Sequence, residues 1–422
     1  MKRLAVIIPT YNSSEMIKEL FLRSLGVFEK FSWDVFVYDS SEDDKTLELF
    51  NQFKEKYNNM EYIRINSEVQ SNEKVFRAFL DIKNKKAYEY MWICPDYIHL
   101  KEGGAQKLEK RMTEGFDYIV LNYRHNYEIC DKVYNDCNEL FHDLGWHITA
   151  YMASVIRVES FVNDEDLEML REKYLKNKCK YHSHFGLVFE QIVKLDNFRA
   201  VHIPFESYDM SASSIRKTNI WRNDTFYIWA ECWPATVRKL PPVYTEKESV
   251  IRDLGVKSGI FSKDNFMSMR IENIYNRQIF EKYYEEWPNL TDLRVGYLKK
   301  LSNLPPEKVE KKLREPKDVK QVKKKLKKFS GNYDILYIYG CGAVASKYSE
   351  YLGQMGIKYE GFIVSDSSKE KESFMCHDVI QINERIINNK DIGIILGLNS
   401  YNTKEVLESL EGRIDKKRIF WR

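Results

Sequence analysis

The chain has 422 residues, room for two or three domains, and its 66 Lys and Arg nearly balance 63 Asp and Glu, leaving a formal charge of +3. That balance excludes a chain built as a nucleic-acid binder, and no apolar run approaches the about 18 residues of a membrane-spanning helix. Seven cysteines without tight pairs point to a reducing compartment, and the short apolar run Leu4 to Ile8, stopped by Pro9, does not make a secretory signal, so a cytoplasmic location is expected.

Residues 4–8 predict a buried strand. Ser13 or Ser14 is placed to cap a helix in which Ile17, Leu20, Phe21, Leu25 and Phe28 recur at helical spacing. Residues 33–38 form a second strand ending at Asp39-Ser40-Ser41, and residues 44–57 a second helix. A third strand (61–65), a third helix (72–87) and a fourth strand (90–93) follow. Strands alternating with helices imply right-handed βαβ units and a largely parallel sheet, in which ligands sit at the carboxyl ends of the strands. The polar clusters after strands one, two and four are therefore the candidate site.

Residues 219–300 predict a mostly helical region rich in Trp, Tyr and Arg. Residues 307–328 hold eleven Lys and Arg against four acids, which reads either as a solvated linker helix or as a contact with anionic lipid headgroups. A fresh α/β pattern starts at Tyr333, with strands at 335–339, 361–366 and 391–397, and a closing run at 418–421. The turn Gly340-Cys341-Gly342 followed by Ala345, with Asp366 after the next strand, has the shape of a dinucleotide fingerprint; the alternative is a docking or homo-oligomerising module.

The first strand and loop, Val6-Ile7-Ile8-Pro9-Thr10-Tyr11-Asn12, together with Asp39-Ser40-Ser41-Glu42-Asp43 after the second strand, resemble the opening of family 2 glycosyltransferases. The resemblance is specific for residues 1 to about 105 and diffuse to about 210. It implies a GT-A nucleotide-diphospho-sugar transferase fold, an α/β architecture. It also implies that Thr10, Tyr11, Asn12, Asp39 and Ser41 contact the nucleotide of a UDP-sugar; an acceptor-only carboxylate at Asp39 suits the imide N–H of uracil. The family's Asp-x-Asp falls on Cys94-Pro95-Asp96, so one of its two acids is a thiol here. Asp96 is then the single protein carboxylate for Mg²⁺ or Mn²⁺, and Lys74 and Arg216 are candidates to neutralise the diphosphate.

An inverting transfer needs a base for the acceptor hydroxyl. The family's spacing puts it near residues 176–191, where Glu190 and His184 are the ionisable candidates and no Glu-Asp pair stands. Trp146 and His147 are expected on the acceptor side. The domain reading is a GT-A catalytic domain over 1–218, a helical subdomain and basic linker over 219–330, and a small doubly wound Rossmann-like domain over 331–422. The expected function is inverting transfer from a UDP-sugar to a glycan or lipid-linked glycan in surface-polysaccharide or teichoic-acid assembly, in the cytoplasm or peripherally at the inner membrane face through 308–328. Protein glycosylation and a non-catalytic nucleotide-sensing scaffold are the alternatives.

Overall fold

A computed structural model describes residues 2–122, 131–161, 166–203, 208–210, 221–314, 317–365, 373–375, 377–398 and 400–421. They divide into two compact units, 1–309 and 310–422.

The first unit is built on strands β1 (Lys2–Thr10), β2 (Asp34–Asp39), β3 (Met60–Arg64), β4 (Tyr88–Ile93), β5 (Ile98–Leu100), β6 (Tyr118–Leu121), β7 (Lys132–Tyr134), β8 (Ser154–Arg157), β9 (Ala200–Ile203) and β10 (Tyr208–Met210). Eight of them form one sheet in the order β3-β2-β1-β4-β8-β6-β9-β7, and β5 pairs with β10. The β3-β2-β1-β4 half is parallel, and β8 is antiparallel to both its neighbours, β4 and β6. This is the expected α/β architecture, with helices and strands alternating around a largely parallel half-sheet. Leu4 to Ile8 are fully buried because helices cover both faces of a parallel sheet, which is why β1 reads as a continuous apolar run. Helix α1 (Ser14–Lys30) buries Ile17, Leu20, Phe21, Leu25 and Phe28. Ser13 occupies its N-cap position but its hydroxyl donates back to the Tyr11 carbonyl, so the helix has no side-chain cap there. Helices α2 (Lys45–Lys54) and α3 (Ser71–Lys85) follow β2 and β3.

Chain order reverses at β1, since β2 and β3 lie on one side of it and β4 on the other. The carboxyl ends of β1 and β4 therefore border the crevice where an open α/β sheet takes its ligand. The helical residues 221–309 belong to the same unit as the sheet. Their interior is aromatic: Trp287 contacts Phe226, Phe266 and Tyr275 edge-on, with ring centroids 5.7–6.0 Å apart.

The second unit holds strands β11 (Ile335–Tyr339), β12 (Gly361–Val364), β13 (Ser373–Phe374), β14 (His377–Gln381), β15 (Ile392–Leu396) and β16 (Ile419–Phe420), in the order β13-β14-β12-β11-β15-β16. All neighbours are parallel except β13 and β14. The basic stretch, expected as a linker, is part of this unit: helix Lys317–Ser330 packs Val322 and Leu326 against Ile338, Leu352 and Phe362. Valine, leucine and Phe329 recur at i, i+4 and i+7 among the lysines, an amphipathic stripe that the charge density masks. Gly340 has φ +97°, and a Cβ there would meet Leu398 at 2.7 Å, so the turn after β11 requires glycine. Asp366 lies outside the described residues.

Leu326 is fully buried in this small core. Leu326→Ala is expected to lower the stability of the 310–422 unit by ~2–5 kcal/mol, measured by urea unfolding of that unit expressed alone. Unfolding indistinguishable from wild type would place the helix outside the core.

Candidate functional site

The carboxyl ends of β1 and β2 lie side by side, with Thr10 in register with Asp39. Two loops leave from there and are laced together. The Asn12 backbone N–H donates to Ser41 Oγ at 2.8 Å, and the Glu42 N–H donates to Asn12 Oδ1 at 3.0 Å. Asn12 adopts φ +47°, a left-handed conformation that asparagine tolerates better than other side-chain-bearing residues. The turn leaves the Tyr11 ring 47% exposed, its hydroxyl donating to Glu42 at 2.9 Å.

Beneath these loops sits a polar cluster. Asp39 is fully buried; one oxygen accepts from the Ser41 backbone N–H and hydroxyl, the other from Tyr62 at 2.7 Å. Burial and the Asp39 carboxylate push the Tyr62 hydroxyl up to about 12, so it stays a donor. Arg64 reaches Tyr62 at 3.1 Å and lies 3.8 Å from Asp39. Lys74, on the first turn of α3, inserts its ammonium under β1 and donates to the Thr10 carbonyl at 2.6 Å and Ser40 Oγ at 2.7 Å. Burial lowers its pKa to about 8, and the charges of Asp39 and Asp96 hold it from falling further. From the β4 side, Asp96 accepts from Thr10 Oγ1 at 2.9 Å. Thr10, Asp39, Ser41, Lys74 and Asp96 are thus brought together from four segments, along with Ser40, Tyr62 and Arg64, which the sequence reading did not single out. Arg216 lies outside the described residues.

Cys94 extends β4, its N–H donating to the Ile7 carbonyl at 2.8 Å. Its side chain is fully buried, with Sγ 3.8 Å from the Pro95 carbonyl and 3.9 Å from that of Ile98. Burial pushes the thiol well above its ordinary value, so it remains protonated.

Beside the cluster opens a cavity of about 510 Å³, bordered by the N-terminus of α3 (Gln70 to Asn72), Tyr97, Thr149 to Met152, Lys180 to His182, Trp221 and Trp229. Tyr97, Tyr151, Tyr181, Trp221 and Trp229 give it an aromatic share, with the Lys180 ammonium 5.3 Å over the Tyr181 ring and Tyr181 edge-on to Trp221 at 5.7 Å. Such a wall suits the apolar face of a sugar ring. Trp146 and His147 do not line it. Both are fully buried, and His147 Nε2 bonds the Leu121 carbonyl at 3.0 Å; they precede by two residues the segment that does.

His184 and Glu190 share one helix, Ser183–Ile192, and diverge as a six-residue separation requires. His184 stacks against Tyr151, a cavity residue, with centroids 4.1 Å apart, and its Nε2 meets the Ile148 carbonyl at 3.1 Å. Burial holds its pKa down at about 3. Glu190 turns the other way, accepting from Lys173 at 2.7 Å and Tyr174 at 2.6 Å. His182 does line the cavity; its Nε2 bonds the Ile228 carbonyl at 3.2 Å, and burial lowers it to about 4. The other ring nitrogen of each, Nδ1, is buried without a hydrogen-bond partner, which fits a neutral ring with its proton on Nε2. The Glu-free His-Ser-His sequence hid this residue, since nothing local distinguishes a cavity histidine from a core one.

Residues 5–72 match the profile of Glycosyl transferase family 2. A search of the curated proteins gives no match. Among solved structures, S. aureus TarS 1-349 in complex with UDP aligns at 13% identity and TM-score 0.46, covering 74% of this chain and 91% of that one. The mannosyltransferase PcManGT from Pyrobaculum calidifontis, in complex with GDP-Man and Mn²⁺, aligns at 12% identity and TM-score 0.39, covering 71% and 85%. Glucosyl-3-phosphoglycerate synthase from Mycobacterium tuberculosis, in complex with Mn²⁺, UDP and phosphoglyceric acid, aligns at 11% identity and TM-score 0.35, covering 55% and 78%.

Lys74 makes a direct prediction. Its folded pKa lies below its unfolded value, so the folded state binds fewer protons between pH 8 and the unfolded pKa of about 10.4. Its contribution to stability is lowest and flat below about pH 8 and rises through that window by up to ~1.4 kcal/mol per pH unit. Lys74→Met is expected to remove this slope from the pH dependence of denaturant unfolding; parallel curves for variant and wild type would refute the buried ammonium.

Proposed function

We propose that this chain, whose residues 5–72 match the Glycosyl transferase family 2 profile, is a glycosyltransferase that moves a sugar, with inversion, from a UDP-sugar to a glycan or lipid-linked glycan. The observation that carries the reading is the joining of Thr10, Asp39, Lys74 and Asp96 at the β1–β4 crevice, directly beside an aromatic cavity of sugar size. In this reading the exposed Tyr11 ring covers the base. Asp39, pre-positioned by Ser41 and Tyr62, accepts from it with its remaining lone-pair capacity. The Lys74 ammonium counters the diphosphate from below. The aromatic cavity takes sugar, and Lys180 at its edge suits an acceptor that carries negative charge. Surface-polysaccharide or teichoic-acid assembly is the setting such an acceptor fits.

The donor set for a divalent cation is sparse. Asp96 offers a carboxylate, the Cys94 thiol offers none, and among the described residues no three His, Cys, Asp or Glu side chains converge. Mg²⁺ or Mn²⁺ would be held by Asp96 together with diphosphate oxygens, where it would offset the charge on the leaving diphosphate. Asp96→Asn is expected to cut turnover about a hundredfold or more, and excess EDTA to stop wild-type turnover. Full turnover in EDTA would leave charge neutralisation to Lys74.

The acceptor proton needs a base at the cavity wall. His182 is neutral, lines the cavity, and at about 4 matches an ordinary carboxylate in strength, the group that usually serves in this family. His184, behind Tyr151, is the second candidate, and Glu190 is assigned to holding Lys173 and Tyr174. The expected result is that His182→Asn lowers kcat about a hundredfold or more at unchanged UDP affinity, while Glu190→Gln keeps turnover and loses stability. A large loss on His184→Asn with normal His182→Asn would move the base two residues along, to His184. UDP release and UDP calorimetry with a donor panel supply both readouts, and Asp39→Ala, expected to weaken UDP by at least ~1 kcal/mol, checks the base pocket.

A further inference from the structure

One wall of the cavity is a helical irregularity. Residues Tyr227–Cys232 form a π-helical turn, and the Trp233 N–H at its end donates to the Ile228 carbonyl, five residues back instead of four. Such turns are uncommon and occur frequently at functional sites. Ile228 and Trp229 from this turn line the cavity. The same carbonyl takes a second donor, His182 Nε2 at 3.2 Å, which its two lone pairs allow. That bond places the imidazole proton on Nε2. It leaves Nδ1, buried and without a hydrogen-bond partner, as the nitrogen able to take another.

His182 ends a 3₁₀ segment, Asn177–His182, that also brings Lys180 and Tyr181 to the cavity. Four residues before His182 and three beyond Ile228, the two segments meet again. Glu231 Oε2 pairs with Lys178 at 2.9 Å, while its Oε1 accepts from Tyr283 at 2.5 Å and pairs with Lys282. The Glu231 side chain is only 14% exposed. Burial works against its charge, but the bonds from Lys282, Tyr283 and Lys178 outweigh it and bring its pKa down to about 2. A neutral imidazole on a carbonyl is held weakly, whereas charge-assisted bonds to a carboxylate are roughly twice as strong. The stronger contact thus holds the two segments together where the weaker one must form.

We propose that Glu231 is a positioning residue for His182. By tying the π-turn to Lys178, Lys282 and Tyr283, it keeps the His182 Nε2–H on the Ile228 carbonyl and Nδ1 unprotonated. Its effect on turnover rests on the glycosyl-transfer reading, whereas the state of the imidazole is read without substrate.

The test is ¹⁵N NMR of the full chain labelled at histidine, with the His182 signals identified by their absence in His182→Asn. Wild type is expected to show one tautomer, protonated at Nε2, from about pH 6 to 8. Glu231→Gln should mix the two tautomers and raise the titration midpoint by at least about one pH unit, toward the ordinary value of about 6.5. Lys178→Met removes one arm of the network at an exposed side chain. It should shift His182 the same way to a smaller degree, so the result does not hang on the folding of Glu231→Gln. Glu231→Gln should also lower kcat about tenfold at unchanged UDP affinity, and less than about twofold in a His182→Asn background, because groups acting as a unit are not additive. Wild-type His182 signals in both variants would overturn the proposal, and so would a tenfold loss that persists without His182. Normal turnover by His182→Asn would remove the base assignment alone, and the NMR signals would still decide the positioning.

Discussion

The ammonium of Lys74 is the contact on which the first unit's site depends. It is buried under β1, donates to a β1 carbonyl and to the β2 loop hydroxyl, and is carried by α3. An isolated ammonium in such a place would cost several kcal/mol. Two short charge-assisted bonds and the nearby carboxylates of Asp39 and Asp96 offset that cost, leaving its pKa depressed but not collapsed. The arrangement ties together the two loops that leave β1 and β2, and it holds positive charge at the carboxyl ends of these strands. Because Lys74 approaches from beneath the backbone, the loops above it are free to carry Tyr11 and Asn12 on their outer side.

The cavity beside this cluster obeys a different rule. Its walls are drawn from six stretches between residues 70 and 229, and the neutral His182 and Lys180 stand among polar groups such as Gln70, Asn72 and Thr149. Burial depresses His182 and His184 well below the usual histidine range, so neither imidazole is cationic near neutral pH. The ring contacts of His182 with Trp229 and Trp233, at 5.0 and 5.4 Å, are those of a neutral aromatic in an aromatic wall. Among the described residues, positive charge at the cluster and cavity lies on Lys74 and Arg64 at the crevice and Lys180 at the cavity edge, and the interior stays apolar enough to receive a ring.

What the sequence made legible follows from how local each signal is. Strands β1, β2 and β4 were readable because a strand buried on both faces is a continuous apolar run, and Thr10, Asp39 and Asp96 because each follows such a strand at its carboxyl end. Lys74 was readable as a cation on α3, though not that it is buried. The cavity was not readable, since Tyr97, Tyr151, Tyr181 and Trp229 share no period and meet only after β8 and the helical region fold against the sheet. Trp146 illustrates the difficulty: an aromatic in the right stretch, it fills the core while Tyr151, five residues on, makes the wall. The basic helix failed for the opposite reason, because lysines between Val322, Leu326 and Phe329 hide a core-facing stripe.

Cys94 shows how the pieces constrain one another. The strand hydrogen bond to Ile7 fixes its backbone, and its side chain has no exposure. A carboxylate held in that same pose would be a second buried anion beside Asp96, with Thr10 already bonded to Asp96 and Lys74 already bonded to Thr10 and Ser40. A neutral thiol avoids that repulsion and leaves two carboxylates, Asp39 and Asp96, against the Lys74 ammonium and the Arg64 guanidinium. In the proposed reading, a diphosphate would meet a cluster less negative than one with a second acid at position 94. The demand on a cation would fall accordingly, and Lys74 would take part of the neutralisation. The missing acid and the buried lysine are thus two sides of one charge balance.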